Sequence, residues 1–275
     1  MKKIFLFLTL TIINQNLCAG DREQEKGDGY LKLSLNFINA EDFFNTDGEE
    51  IPLNGTFTDI SINIYGEYSL SDILILTADF NSFRYTQLET APGPEYDLNS
   101  VTGIGDALIG VRASILKSST TTLSTGLNFN LPFGKSSPDG GLLTGSGDYY
   151  QGLLLMAEHI LYPAPAYLSA SVIFNNRTEG YSDEFKYKFE GGYFLYTDLT
   201  IALQLKGVHP LYNGKNDKSG GLGIFLNEQN FFSAGGELIY QFTKNFGLTL
   251  LYSNPLFGKN IVSSPVYAIG IFYSN

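Results

Sequence analysis

The stretch Asp59–Tyr68, "DISINIYGEY", decides the fold. Ile60, Ile62 and Ile64 alternate with Ser61, Asn63 and Tyr65. Successive side chains of a strand point to opposite faces, so this segment has an apolar side and a polar side. The same period governs "YLKLSLNF" from Tyr30, where Leu31, Leu33, Leu35 and Phe37 oppose Lys32, Ser34 and Asn36. Working outward gives twelve strand candidates: 30–38, 57–69, 73–83, 105–116, 121–132, 149–160, 167–176, 185–195, 199–208, 231–242, 246–253 and 265–273. Most are near the roughly 9–11 residues that a tilted strand needs to cross a bilayer.

The connections alternate strictly in length. Short ones fall at 70–72, 117–120, 162–166, 196–198 and 243–245; the others, mostly longer, fall at 39–56, 84–104, 133–148, 177–184, 209–230 and 254–264. Within 209–230, Gly221–Leu226 also reads as a strand extension above the membrane. An even strand count with short turns on one side and long loops on the other fits an all-β, transmembrane, antiparallel up-and-down β-barrel of about 12 strands. A soluble sandwich would alternate as well, with its apolar face inward. Two further features favour lipid outside. The polar face is rich in small groups such as Ser61, Gly110, Ser124, Gly126, Ser169, Ser171, Ser233 and Gly235. The last strand places Tyr267, Ile269, Ile271 and Tyr273 on one face, although the chain ends in Ser274-Asn275 rather than on the aromatic.

The first segment reads as a targeting signal. Lys2 and Lys3 precede an apolar run, Ile4–Ile13, and small residues follow around Ala19 and Gly20. This is the pattern of a cleaved secretory signal, too short to span a membrane as a helix. The organisation expected is a signal at 1–20, a short periplasmic leader at 21–29 and a barrel at 30–275. Cys18 leaves with the signal, since Gln15 occupies the position where a lipoprotein signal carries Leu. The mature chain then has no thiol chemistry.

The full chain has 17 Lys+Arg and 28 Asp+Glu; without Lys2 and Lys3 the balance is 15 − 28 = −13. Such a charge argues against nucleic acid as a partner. Tyr 18 and Phe 21 with Trp 0 leave Tyr and Phe to supply any interfacial girdle. The partners expected are outer-membrane lipids and lipopolysaccharide, a small-molecule solute and the barrel-assembly machinery. The acidic loop residues Glu41, Asp42, Asp47, Glu49, Glu50, Glu89, Glu95 and Asp97 read as a solvated rim.

Three motifs occur in order: "GIGDALIGVR" (Gly103–Arg112), "LNFNLPFGKSS" (Leu127–Ser137) and "LTGSGDYYQGLLL" (Leu143–Leu155). Together they resemble the outer-membrane transporters of the phenol meta-degradation pathway type, which share a G-x-G-D strand entry, an L-P-x-G strand exit and a G-x-G/S-x-D re-entry. "EYSLSDILIL" resembles the early turn of that family. The resemblance covers strands 2 to 6 and implies a barrel that passes small molecules. Its motif residues also have a plain physical reading as punctuation: Pro132 ends a strand and the glycines let a loop turn.

Turning the polar face inward puts charge in the lumen. The pore-lining candidates are Glu67, Asp79, Asp106, Arg112, Glu190, Lys206 and Glu237, with Lys32, Lys186 and Lys188 in the same phase. They read either as ion pairs that brace the wall or as an eyelet that selects by charge. Arg112, Glu67 and Asp79, on adjoining strands, are expected to pair across the narrowest level. Ile73, Ile75, Ile173, Ile239, Leu251 and Phe272 share this inner face, a mixture suited to small amphipathic or aromatic solutes. Catalysis is not expected. His159 and His209, the two histidines, fall at opposite ends of the barrel and lack the pairing of outer-membrane phospholipases. No metal-ligand spacing and no cofactor motif is present. The reading is a channel for small solutes; the alternatives are a lipid-acting barrel enzyme and a filled barrel without transport.

Overall fold

The computed structural model describes residues 25–90, 98–136, 142–215 and 224–275. The expected signal at 1–20, and Glu95, Asp97, Gly140, Gly141 and Gly221 among the loop residues, lie outside these. Fourteen strands follow in chain order: β1 (Gly29–Phe44), β2 (Glu50–Ser71), β3 (Leu74–Thr90), β4 (Leu98–Gly103), β5 (Ala107–Lys117), β6 (Thr121–Leu131), β7 (Tyr150–Ile160), β8 (Ala166–Arg177), β9 (Glu184–Phe194), β10 (Leu199–Pro210), β11 (Asn230–Gln241), β12 (Phe246–Lys259), β13 (Ile261–Ser263) and β14 (Val266–Ser274). Twelve of them form a closed antiparallel wall. Each pairs with its neighbour in sequence, and β14 closes on β1 from Tyr30↔Ser274 to Ile38↔Val266. Closure leaves no unpaired edge, as a sheet in hydrocarbon requires. The short β4 and β13 extend the wall beside β3 and β1.

The wall strands correspond one for one with the twelve expected segments, and the phase is the expected one. Leu33, Leu76, Leu127 and Leu203 are exposed on the outer face, with Ile62 and Val111 half-buried there. Ser34, Arg112, Asn128 and Gln204 are buried on the inner face. Large apolar side chains left exposed all round the barrel, Leu203 at 69% among them, far exceed the patch that a protein in water tolerates. A lipid surround resolves this. Tyr68, Tyr162, Tyr196, Tyr240 and Phe242 gather at the turn end of this belt, where an aromatic girdle belongs.

Several expectations change. The connection expected at 39–56 is only 45–49, because β1 and β2 run on as a paired hairpin past the wall. Those at 84–104 and 254–264 are likewise mostly strand. The cause is local. Ala40, Phe57, Val101 and Val262 point inward at the loop end and bury one another with Leu142, so the extensions have a core of their own. Ile73 does not share the inner face: it lies in the β2–β3 turn and is exposed. A bulge on β3 shifts the register between Ile62/Asn63, so that Asn81 and Arg84, odd and even in number, both point inward opposite Asn63 and Ser61.

Candidate functional site: the barrel lumen

Among the described residues, two cavities line up in the lumen. The one nearer the turn end measures about 410 Å³ and is lined by Tyr30, Lys32, Tyr65, Tyr167, Lys188 and Glu190 among others. The one nearer the loop end measures about 400 Å³; Asn130, Tyr150, Lys186, Val208, Phe225 and Phe231 contribute to it. Asp79 borders both. Two apolar depressions on the outer face, near Leu203 and near Gly66, belong to the lipid belt instead.

The lower cavity mixes aromatic rings with paired charge. Tyr30 stacks on Phe272 at 5.7 Å and meets Tyr65 edge-on at 6.2 Å. Lys32 Nζ donates to Glu237 Oε1 at 2.5 Å. Glu190 accepts from Tyr167 Oη at 2.7 Å, Gln204 Nε2 at 2.9 Å and Lys188 Nζ at 2.7 Å. These contacts follow from register: Glu190 sits directly opposite Gln204, and Glu237 opposite Ala202 two residues along β10.

Arg112 and Glu67 do meet, at 3.2 Å, across β3; Tyr65 also donates to Glu67. Asp79 is not part of that pair. It accepts from Asn63 Nδ2 on β2 instead. Arg112 and Glu67 are each 7% exposed, so little of either faces free lumen. Lys206 is inward on β10 and half-buried.

Asp106 has a different setting from the other candidates. It precedes β5 and holds Gly134 and Ser146, which follow β6 and precede β7. Its Oδ1 accepts from Gly134 N at 3.0 Å, and its Oδ2 from Ser146 N at 2.7 Å and Ser146 Oγ at 2.8 Å. The three sequence motifs therefore converge in space. A Cβ on Gly134 would fall 2.5 Å from Gly145 Cα, and one on Gly145 would fall 2.1 Å from Asp106 Oδ1. Only glycine permits that approach. Thr144 adds a bond to Ile104 O at 2.7 Å and receives Lys135 N at 2.8 Å. The result folds Leu142, Leu143 and Thr144, all fully or nearly buried, into the mouth. Asp148 then takes both Nε and Nη2 of Arg177, at 2.7 and 3.1 Å, and Arg177 also reaches Glu184 at 3.3 Å. The Arg177 guanidinium lies 4.2 Å from the Tyr181 ring centre, and Tyr181 Oη donates to Ser146 O at 2.9 Å. Burial, with the nearby Asp148 carboxylate, holds the Tyr181 phenol above its ordinary pKa.

Sequence reading missed the Asp59–Arg84 pair. Arg84 grips Asp59 with Nε at 2.7 Å and Nη2 at 3.1 Å, while Phe225 from the long loop lies 4.6 Å from the guanidinium. Asp59 shares the phase of Ser61 and was visible. The bulge hid Arg84. His159 and His209 lie on the outer surface, His159 Nδ1 meeting Thr121 Oγ1 at 2.8 Å and His209 edge-on to Tyr212. Among the described residues, no cluster of three or more His, Cys, Asp or Glu is arranged to hold a metal ion.

Comparison with known proteins agrees with this geometry. An outer-membrane channel from Pseudomonas putida F1 superposes with a TM-score of 0.72 at 13% identity, over 94% of this chain and 100% of the other. The NanC porin superposes at 0.51 with 10% identity, over 88% and 98% of the two chains. The KdgM porin in complex with disordered oligogalacturonate superposes at 0.50 with 9% identity, over 89% and 99%. These likenesses establish the outer-membrane barrel fold. No curated protein sequence matches the chain. Residues 40–257 match the family described as "Putative MetA-pathway of phenol degradation", and with most of the wall and all three motifs inside that match, the chain belongs to this family.

Proposed function

We propose that the barrel is an outer-membrane channel for small amphipathic solutes, aromatic ones included. The observation that carries this reading is the pair of lumenal cavities bordering on Asp79, lined by both polar groups and aromatic rings. An ion porin needs only charge and water; Tyr30, Tyr65, Tyr167 and Phe231 add faces on which a ring can lie. The family description, with its link to phenol degradation, and the similar fold of a known channel and of porins both support it. In the cell the segment at 1–20 directs export and is removed. The barrel-assembly machinery inserts the chain, the turn end faces the periplasm and the acidic loop rim meets lipopolysaccharide. Transport rather than catalysis is the activity, since the two histidines stand apart on the outer surface.

A filled barrel is the second reading. It is favoured by the apolar cluster of Phe57, Leu142 and Val262 at the loop end and by the closed Arg112–Glu67 pair. Liposome swelling separates the two. Vesicles carrying folded protein should swell in isosmotic glycine, arabinose or sodium benzoate faster than empty vesicles. Swelling no faster than that of empty vesicles, with folded protein inserted, leaves the filled barrel.

A further inference from the structure

Four lysines point inward from the wall, and three have an anionic partner. Lys32 holds Glu237, Lys186 holds Glu184 at 3.0 Å and Lys188 holds Glu190. Lys206 makes no hydrogen bond or ion pair among the described residues. The register worsens its position, because Lys206 lies directly opposite Lys188 on the neighbouring strand. Like charges in directly opposed positions repel, and an uncompensated charge out of bulk water is costly. Glu237 is near enough for its charge to act on Lys206, but it and Glu190 are each bound by other groups. Glu237 is bound by Lys32 at 2.5 Å, and Glu190 by Lys188, Tyr167 and Gln204.

The flanking strands complete the pattern. Ser171 on β8 is opposite Lys188, and Ser233 on β11 is opposite Lys206. One row along the hydrogen-bonding direction thus presents hydroxyl, ammonium, ammonium and hydroxyl, all inward. The next row toward the loop end contributes Lys186, Val208 and Phe231 to the upper cavity. On the other side, Lys188 and Glu190 line the lower one. The row thus falls between Lys186 in the lining of the upper cavity and Glu190 in that of the lower, with Val208 and Phe231 at the next inward positions.

We infer that Lys206, with Lys188, Ser171 and Ser233, forms an anion station in the lumen that takes the carboxylate of a small aromatic acid. The carboxylate supplies the missing counter-charge, and the ring lies against Phe231 and Val208. This rests on the channel reading for its purpose but not for its test. Charge-assisted hydrogen bonds supply the affinity, and a neutral solute of the same shape forgoes them.

The test is equilibrium binding to the folded, detergent-solubilised barrel by calorimetry, with benzoate and benzyl alcohol as probes. Benzoate should bind, and benzyl alcohol should bind at least about tenfold more weakly. Lys206→Gln should weaken benzoate by a similar factor and leave benzyl alcohol unchanged. Lys206→Arg should retain benzoate binding, and Lys244→Gln, in a turn outside the lumen, should match the parent. If Lys206→Gln does not fold, Lys206→Met replaces it with the same outcomes expected. Absence of benzoate binding, equal binding of both probes, or an unchanged affinity in the folded neutral variant overturns the station. Because binding is read without flux, failure of conduction would refute the channel and leave this result standing.

Discussion

At Leu203 and Asn36 the same substitution should have opposite consequences. Leu203 is the most exposed large side chain of the outer belt, so Leu203→Arg puts a guanidinium in lipid and should cost about 2–4 kcal/mol if it lies near the midplane. Asn36→Arg places the same group in the lower cavity and should cost much less. Urea unfolding in lipid vesicles measures both, and equal costs would reverse the assignment of faces. Asn128, also inward, is no substitute for Asn36. It is buried and its side chain packs closely over Gly110, where a Cβ would fall 2.2 Å from the Asn128 Oδ1. Arg112 belongs to the same scale. With the buried Glu67 carboxylate keeping Tyr65 but losing its guanidinium, Arg112→Ala should cost up to about 3–5 kcal/mol. As a brace it should leave ion selectivity unchanged; a shift toward cations without loss of stability would make it part of the selecting eyelet. The inward phase of these residues was legible in the alternation itself. Of their partners, Glu67 for Arg112 was expected, but Asn63 for Asp79 and Arg84 for Asp59 were not, because period two gives a face but no register. Arg112 meets Glu67 through an offset across β3, and Arg84 joins Asp59 only because of the bulge at Ile62/Asn63.

Loops, unlike strands, are shaped here by contacts that no local pattern encodes. Gly103, Asp106, Gly134, Gly145 and Asp148 read in sequence as strand-end punctuation, Asp106 also as a pore-lining candidate. In space they build one clasp that draws Leu142, Leu143 and Thr144 into the mouth. That function needs close approach between segments from 9 to 40 residues apart, which local spacing cannot report. Asp106→Ala removes three acceptor contacts and should release the connection. Limited proteolysis of intact cells should then cleave near Phe133–Ser146 faster than in the parent, with the wall intact. Equal cleavage would show that Leu142 and its apolar neighbours hold the loop unaided. Leu142→Ser attacks that cluster directly. A polar group in a fully buried apolar site should loosen the cover over the loop end and raise solute flux in the swelling assay. Flux at the parent's level would place the limiting barrier deeper, beside Asp79. The wall elements themselves were readable almost to the residue; their extensions were not, since β1, β2 and β12 continue past the bilayer on the strength of Phe57, Ala40 and Val262 packing together.

The whole molecule follows from one constraint: a chain with apolar and polar residues in strict alternation, placed in lipid, must close on itself and keep its charges inside. The short turns at one end and the long hairpins at the other set the expected orientation. A cysteine at Asp47, in the 45–49 turn of the long hairpin, should react with an impermeant thiol reagent on intact cells; cysteines at Asp72 or Thr243, at the other end, should react only after lysis. Labelling of both ends in intact cells would contradict the orientation. The central claim is that the lumen conducts. It is tested most directly by single-channel recording of the refolded protein in planar bilayers. The account predicts discrete open steps, reduced when benzoate is added. A folded, inserted barrel that gives no current at any voltage would contradict it.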